Sequence, residues 1–425
     1  MRLLVIDIES MGLDLCLRAI ADGHEVQLWQ DGKRPIGRGV AGLRRITDWR
    51  ASMVWAKDGL VVCTGNAKFT RELDRYRDFG FCIFAPTEAS AKLEIDRKAG
   101  MDAMEAAGID IPHYECFPTL EAAKTYALKA DQAYVFKSLG SDDDKSLTFV
   151  AETPEEMGAW IDRQQKRGLK LTGQCMLQEK IDMLAEYGAS GWMGPEGFLP
   201  DRWNVCWEHK RLMNGEIGPQ TGEMGTVCAY RETDPCGDML MQLEPILRTL
   251  GHRGDFSIGV GIDTKGHAWP FEFTSRCGWP AFFIQTASHK GDVCEWMRDL
   301  CLGKDSLKVD PRPAVGVVMA QPPFPLWNGK PECVEGVPVN FNVDVWDDIH
   351  PAMMMLAGDE WQTAGELVCV ATGLGKTISK AKDAAYETVK AIKFPDAMYR
   401  TDIGEKVEES LKAIQRFGFA QGLEW

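Results

Sequence analysis

Three basic residues in a row, His209, Lys210 and Arg211, stand just ahead of a glycine-rich turn, Gly218-Pro219-Gln220-Thr221-Gly222-Glu223-Met224-Gly225. Glycine lets backbone N–H groups approach an anion closely and neighbouring cations neutralise its charge, so such a block can hold the oxygens of a phosphate or a carboxylate. By spacing alone it suits a surface hairpin with turn glycines just as well. A further lysine, Lys137, sits near the end of the strand-like run AYVFKS, and a polar stretch from Leu139 to Lys145 separates that run from a second one, LTFVAE. Strand, polar loop and strand in that order can form a flap over a ligand; taken singly, Lys137 also reads as a solvated strand-end lysine. The LGKT at 374–377 invites a phosphate-loop reading, but the glycine such a loop needs upstream is absent, and a turn followed by a helix start fits better.

These residues need a scaffold that brings them together. At 425 residues the chain exceeds one ordinary core, and two to four domains of roughly 100 to 200 residues are expected. Hydrophobic residues at 45% and charged residues at 26% are ordinary globular usage. The net charge of -15, with no Lys/Arg-rich run to offset it, repels phosphate backbones and anionic lipid, which argues against nucleic acid or a membrane as partner and leaves small molecules. The 13 cysteines are scattered and include no C-x-x-C pair, so packing thiols of a cytoplasmic protein are expected rather than disulfides or a zinc cluster. The MRLLVID start lacks the organisation of a secretory signal, and no stretch approaches about 18 apolar residues.

RLLVID (2–7), a helix from Leu13 to Asp22 and HEVQLW make a β-α-β opening. GLVVCTGN (59–66), a helix from Lys68 to Phe79 and FCIFAP (81–86) continue the alternation, which predicts a doubly wound parallel sheet in an amino-terminal α/β domain over residues 1–95. Helices over 96–108 and 119–130, the two β runs, a helix over 154–167 and strand CMLQEKI (175–181) predict a small flap-bearing α+β unit at about 113–175 within a central domain, 96–308. Strands with glycine-rich turns follow at 202–230 and 254–276. VGVVMA, QPPFPLW and a helix from Ile378 to Ile392 predict a carboxy-terminal domain over 309–425.

Several segments, in order along the chain, carry a resemblance. WEHKRLMNGEIGPQTGEMG resembles the D-H-K-R and G-P-N-T-G-G-M-G segment of the phosphoribosylamine–glycine ligases, with Glu208 for the Asp, Gln220 for the Asn and Glu223 for a Gly. FAPTEASAKLEIDRKAGMDAMEAAGIDIPHYECF resembles the segment leading into their ATP-grasp domain, and residues 365–404, from GELVCVATG to YRTDIG, resemble their ending. The resemblance spans nearly the whole chain and implies an ATP-grasp fold, between an α/β domain and a small α+β domain, that works as an ATP-dependent carboxylate–amine ligase. ATP would phosphorylate a carboxylate, implied to be that of glycine, and an amine would attack the acyl phosphate.

The same resemblance implies roles. Lys137 stands where the family keeps a lysine that reaches the α- and β-phosphates, and Lys145 matches a lysine of the next loop, although Asp142 to Asp144 would repel a triphosphate unless Mg²⁺ or solvent intervenes. LQEKID (177–182) is similar to the hinge that holds adenine, which implies Gln178, Glu179 and Ile181 for the base and Glu186 for the ribose. PFEFTSRCGWP (270–280) resembles E-F-N-x-R-F-G-D-P-E, whose Glu and Asn bind Mg²⁺; Glu272 keeps its place, Thr274 replaces the Asn, and an i, i+2 spacing on one strand points both to one face. Asp263, on the preceding strand, is implied as a compensating ligand, and oxygen ligands suit Mg²⁺ or Mn²⁺. Lys210, Thr221 and Arg276 are implied to be catalytic, Arg276 as a clamp on a carboxylate or acyl phosphate.

One segment departs from the pattern. Where the family opens with G-N-G-G-R-E-H-A after its first strand, a loop that meets the phosphoribosyl group, this chain reads Asp7-Ile8-Glu9-Ser10-Met11-Gly12-Leu13-Asp14. Three carboxylates stand in place of the glycines and the arginine, so a phosphate would be poorly received and a cationic or polyhydroxyl acceptor tolerated. Three readings follow: the family reaction, a ligase joining glycine or another amino acid to a different amine, and a nucleotide-binding homologue without catalysis. A monomer or homodimer is expected.

Overall fold

The structure, a computed structural model, describes residues 1–139, 147–325 and 334–425. Strand Arg2–Asp7 is apolar from Leu3 to Ile6 because both of its faces are covered, and it lies in the middle of a five-stranded parallel sheet. The order across that sheet is Leu43–Ile46, Glu25–Gln30, Arg2–Asp7, Leu60–Cys63, Ile83–Phe84. The winding reverses between Arg2–Asp7 and Leu60–Cys63, so the crevice beyond their carboxyl ends is the switch point at which such sheets take ligands. Helix Gly12–Ala21 buries Leu13, Leu15, Cys16 and Ala19. The edge strand Leu43–Ile46 is absent from the predicted elements because Arg44 and Arg45, both exposed, hide its apolar pattern.

The expected small unit forms a four-stranded antiparallel sheet in the order Tyr114–Phe117, Cys175–Glu179, Tyr134–Ser138, Phe149–Val150. Helices Leu120–Ala127 and Pro154–Lys166 cover it, with Thr119 and Thr153 accepting hydrogen bonds from the N–H groups of Ala122 and Glu156 at their starts. Ala123, Phe136, Met157, Ile161 and Leu177 give this unit a core of its own.

The largest sheet has nine strands, eight of them in the order Ala268–Thr274, Gly254–Asp263, Met183–Gly194, Trp203–Glu208, Gly225–Arg231, Ala314–Ala320, Leu367–Leu374, Ile349–Pro351. Gly225–Arg231 pairs antiparallel with Ala314–Ala320, so strands from either side of residue 309 share one sheet. Trp207, Phe256, Val315, Val317, Ile378 and Val389 join in its core, and helix Ile378–Ala391 is capped by Thr377. Helix Ala281–Ser288 is not among the predicted elements: nearly all of its residues are buried, which leaves no amphipathic period to read. Among the described residues no helix is long and apolar enough to cross a membrane.

Candidate functional site

The pairing of four adjacent strands builds the floor of a cleft. Glu272 lies opposite Gly259, Gly259 opposite Gly188, and Gly188 opposite Cys206. Side chains alternate along a strand, so Glu186 shares the face of Gly188, and Glu208 shares that of Cys206. The middle of the floor is therefore glycine, and carboxylates stand around it. They enclose a cavity of about 30 Å³ lined by Glu186, Glu208, Lys210, Gly259, Phe271 and Glu272.

Lys210 occupies the centre. Its Nζ is 3.0 Å from Glu208 Oε2, 3.0 Å from Glu272 Oε1 and 3.6 Å from Glu186 Oε1. Against the desolvation of this position, Glu208, Glu272 and Glu186 hold the ammonium well above its ordinary value. Lys210 in turn, with Lys137 behind it, holds the Glu272 carboxyl down to about 2 although burial opposes this. Glu208 is absent from the expected site residues. Its signal was its place one residue before His209, where the resembling segment carries an Asp.

Lys137 ends in the same region. Its buried Nζ donates to Gln178 Oε1 at 2.7 Å and to the Phe271 carbonyl at 3.3 Å. Burial lowers its pKa to about 8, with Glu272 opposing the shift. Gln178 is 1% exposed, and among the described residues its Nε2 has no partner. A buried ammonium beside a buried, unmatched amide donor leaves this spot short of acceptors, a deficit that an oxygen-rich ligand fills. Glu179 accepts from Gln132 Nε2 at 2.7 Å, and Ile181 lies half-buried in the segment before Met183–Gly194. Lys145 and Asp142 to Asp144 fall outside the described residues.

Two expected residues turn out to be committed elsewhere. The Thr221 hydroxyl and N–H both donate to the Lys210 carbonyl, at 2.7 and 2.8 Å, so Thr221 fastens the base of the hairpin behind Lys210 and its hydroxyl hydrogen is taken there. Asp263 stands at the tip of the hairpin formed by Gly254–Asp263 and Ala268–Thr274. Its Oδ1 accepts from the N–H groups of Lys265 and His267, and its Oδ2 from Trp269 Nε1. Four positions along the strand from Gly259, at about 3.3 Å per residue, keep it far from Glu272. The turn between these strands needs such an acceptor, and that need explains the aspartate. Thr274 sits two residues beyond Glu272, opposite Ser257 at the strand end.

Arg276 lies where the cleft meets the amino-terminal sheet. Its Nε is 3.4 Å from Glu94 Oε1, and Glu94 Oε2 accepts from Asn66 Nδ2 at 2.5 Å, from the Ser275 N–H at 2.7 Å and from Ser275 Oγ at 3.1 Å. Burial works to lower the guanidinium pKa, but Glu94, Glu9 and Glu272 raise it overall. Glu94 and Asn66 also escaped the sequence reading, since neither carries a distinctive spacing. Asp14 parts company with Asp7 and Glu9: its carboxylate pairs with Arg18 at 2.9 Å and His350 at 3.0 Å, on a separate cavity of about 230 Å³.

The cleft thus offers buried donors on one wall, carboxylates around one cation on its floor, and a guanidinium at the mouth. A family model described as "Phosphoribosylglycinamide synthetase, C domain" matches residues 314–406. The phosphoribosylamine–glycine ligase of Ralstonia nicotianae is 30% identical over 346 residues, covering 79% of this chain and 81% of that protein. The solved phosphoribosylamine–glycine ligase of Thermotoga maritima superposes with a TM-score of 0.73 at 20% identity, over 95% of this chain and 100% of that one. The biotin carboxylase domain of Hydrogenobacter thermophilus 2-oxoglutarate carboxylase, solved with MgADP, ADP and bicarbonate, gives 0.62 at 10% identity over 98% and 95%. The chain has the ATP-grasp fold of these structures.

Proposed function

The chain belongs to the phosphoribosylamine–glycine ligase family and is an ATP-dependent carbon–nitrogen ligase, and on that footing we propose that it activates the carboxylate of glycine and joins it to an amine. The γ-phosphoryl group passes from ATP to a carboxylate oxygen of glycine as ADP leaves. The amine nitrogen then attacks the acyl carbon, phosphate leaves, and the nitrogen gives up a proton.

The observation that carries this reading is the buried Lys137 beside the unmatched Gln178 amide, facing Lys210 and its three carboxylates. Lys137 and Lys145 would take the α- and β-phosphates; Gln178, Glu179 and Ile181 the adenine side; and Glu186 the ribose. Lys210 would neutralise charge on the moving phosphoryl group, and Arg276, steadied by Glu94, would hold the carboxylate. Glu186, Glu208 and Glu272 gather three carboxylates around Lys210, and such an all-oxygen donor set fits a divalent cation. Glu272 and Thr274, with Glu208 beside them, would hold Mg²⁺ or Mn²⁺, which when bound neutralises phosphate charge. The H. thermophilus domain with MgADP supports this choice. Small-molecule substrates, a cytoplasmic location and a monomer or homodimer complete the reading.

Purified protein with Mg-ATP, glycine and hydroxylamine tests it without reference to the natural amine. Glycine-dependent hydroxamate with matching phosphate release is expected. Phosphate release that does not respond to glycine rejects the reading.

A further inference from the structure

The switch-point crevice of the amino-terminal sheet lies next to Arg276, and three backbone donors there, the N–H groups of Ile8, Glu9 and Met11, are already taken. Thr64 Oγ1 accepts from the N–H groups of Ile8 and Glu9, at 2.9 and 3.1 Å, and donates to Asp7 Oδ1 at 2.9 Å. Asp7 Oδ1 also accepts from the Met11 N–H at 2.9 Å. Of these groups the Met11 N–H stands at the start of helix Gly12–Ala21, a place where a phosphate can find a cradle. Strand and helix start approach closely at Gly12, where a Cβ would stand 2.7 Å from Val5 Cγ1 and 3.1 Å from Asp7 Cγ. The chain's own carboxylate has taken the anion's place.

Two further observations bear on what enters. Asp7 is 0% exposed, and among the described residues its Oδ2 has no partner, so a buried oxygen is left open to a donor. Glu9 lies against the other wall, its Oε1 2.9 Å from where a Cβ on Gly65 would be, next to Asn66. Asn66 Nδ2 bonds Glu94 and Ser275 Oγ at 2.5 and 2.9 Å, and Glu94 holds Arg276. The crevice and the carboxylate clamp are thereby one continuous wall, with the Asp7 and Glu9 carboxylates on its amino-terminal side.

We infer that the acceptor amine carries no phosphate at the end that enters this crevice, presenting hydroxyl or ammonium donors instead, and that Asp7 and Glu9 set this specificity. The inference rests on the ligase reading above. A phosphate dianion brought here would find the Ile8, Glu9 and Met11 N–H groups occupied and two carboxylates in its way, whereas hydroxyl or ammonium hydrogens would meet Asp7 Oδ2 and the Glu9 carboxylate.

The test compares amines in an enzyme already shown to form glycine hydroxamate, so failure of the ligase reading shows first and separately. Phosphate release with Mg-ATP and glycine is measured with phosphoribosylamine, with ribosylamine lacking the phosphate, and with short diamines and amino alcohols. At least one unphosphorylated amine should exceed phosphoribosylamine in kcat/KM, by about tenfold or more if each like charge costs a tenfold step. Glu9→Gln should move that ratio toward phosphoribosylamine. Equal or better use of phosphoribosylamine, or no turnover with any unphosphorylated amine, overturns the inference; an unmoved ratio in Glu9→Gln overturns the part given to Glu9.

Discussion

Lys210 Nζ and Glu272 Oε1 stand 3.0 Å apart although 62 positions separate them in the chain. Two intervening strands, with Gly259 and Gly188 at the crossing, bring them together through the cross-strand register. The pair is also asymmetric: one lysine serves three carboxylates, so removing the lysine and removing one carboxylate have different consequences.

Lys210→Met should lower kcat for glycine-dependent phosphate release by about 10²- to 10³-fold, the usual cost of losing one charge aimed at a developing anion. It should also leave Glu186, Glu208 and Glu272 without their shared cation. Circular dichroism melts establish whether the variant is folded; a folded Lys210→Met protein with undiminished kcat would contradict the role given to this lysine.

Lys137 supplies a pH dependence. Burial brings its pKa to about 8 in the free protein, so its charge is present below that pH and lost above it. The kcat/KM for ATP should therefore fall as pH rises through about 8, and Lys137→Arg, whose charge persists, should retain whatever activity it has at higher pH. The measurement is a kcat/KM profile from about pH 7 to about pH 9.5, and a flat profile would remove Lys137 from phosphate binding.

Asp7 predicts a stability change of opposite kind. Burial raises its carboxyl from 3.8 to about 6. Between those values the folded protein holds a proton that the unfolded chain has lost, so stability declines as pH rises through that window and the full penalty of the buried charge is present above about 6. Asp7→Asn keeps an oxygen for the Met11 N–H and removes the charge. It should raise Tm near pH 7.5 and change it little near about pH 4; the same Tm change at both would mean that the charge is not the cause.

Asp263 and Glu272 should separate in a metal titration. Asp263→Ala should cost about 1 kcal/mol of stability through lost turn hydrogen bonds and leave the Mg²⁺ concentration for half-maximal activity unchanged. Glu272→Gln should raise that concentration. A shift of about tenfold in Asp263→Ala would return this residue to the metal set.

Much of the fold was legible because its signals are local. RLLVID, the helix after it and the continuing alternation declare a parallel sheet through apolar runs and breaks a few residues apart, and Thr119, Thr153 and Thr377 mark helix starts by side chains that need only their near neighbours. Lys137, Gln178, Glu272 and Arg276 were legible through ordered segments of resemblance. Where reading failed, the deciding contact lay elsewhere in the chain or was hidden by burial. Glu208 and Glu272 reach the same lysine only through the cross-strand register, and helix Ala281–Ser288 shows no period because it is covered on nearly every side. Asp263, Thr221 and Asp14 are chemically able to serve a site, yet each is claimed by a partner: a hairpin turn, the Lys210 carbonyl, and the pair Arg18 and His350. Residue types determine what each group can do, because acidity and hydrogen-bonding capacity are properties of the side chain. Which groups remain available to a ligand was decided only when tertiary packing distributed a limited number of donors and acceptors among them.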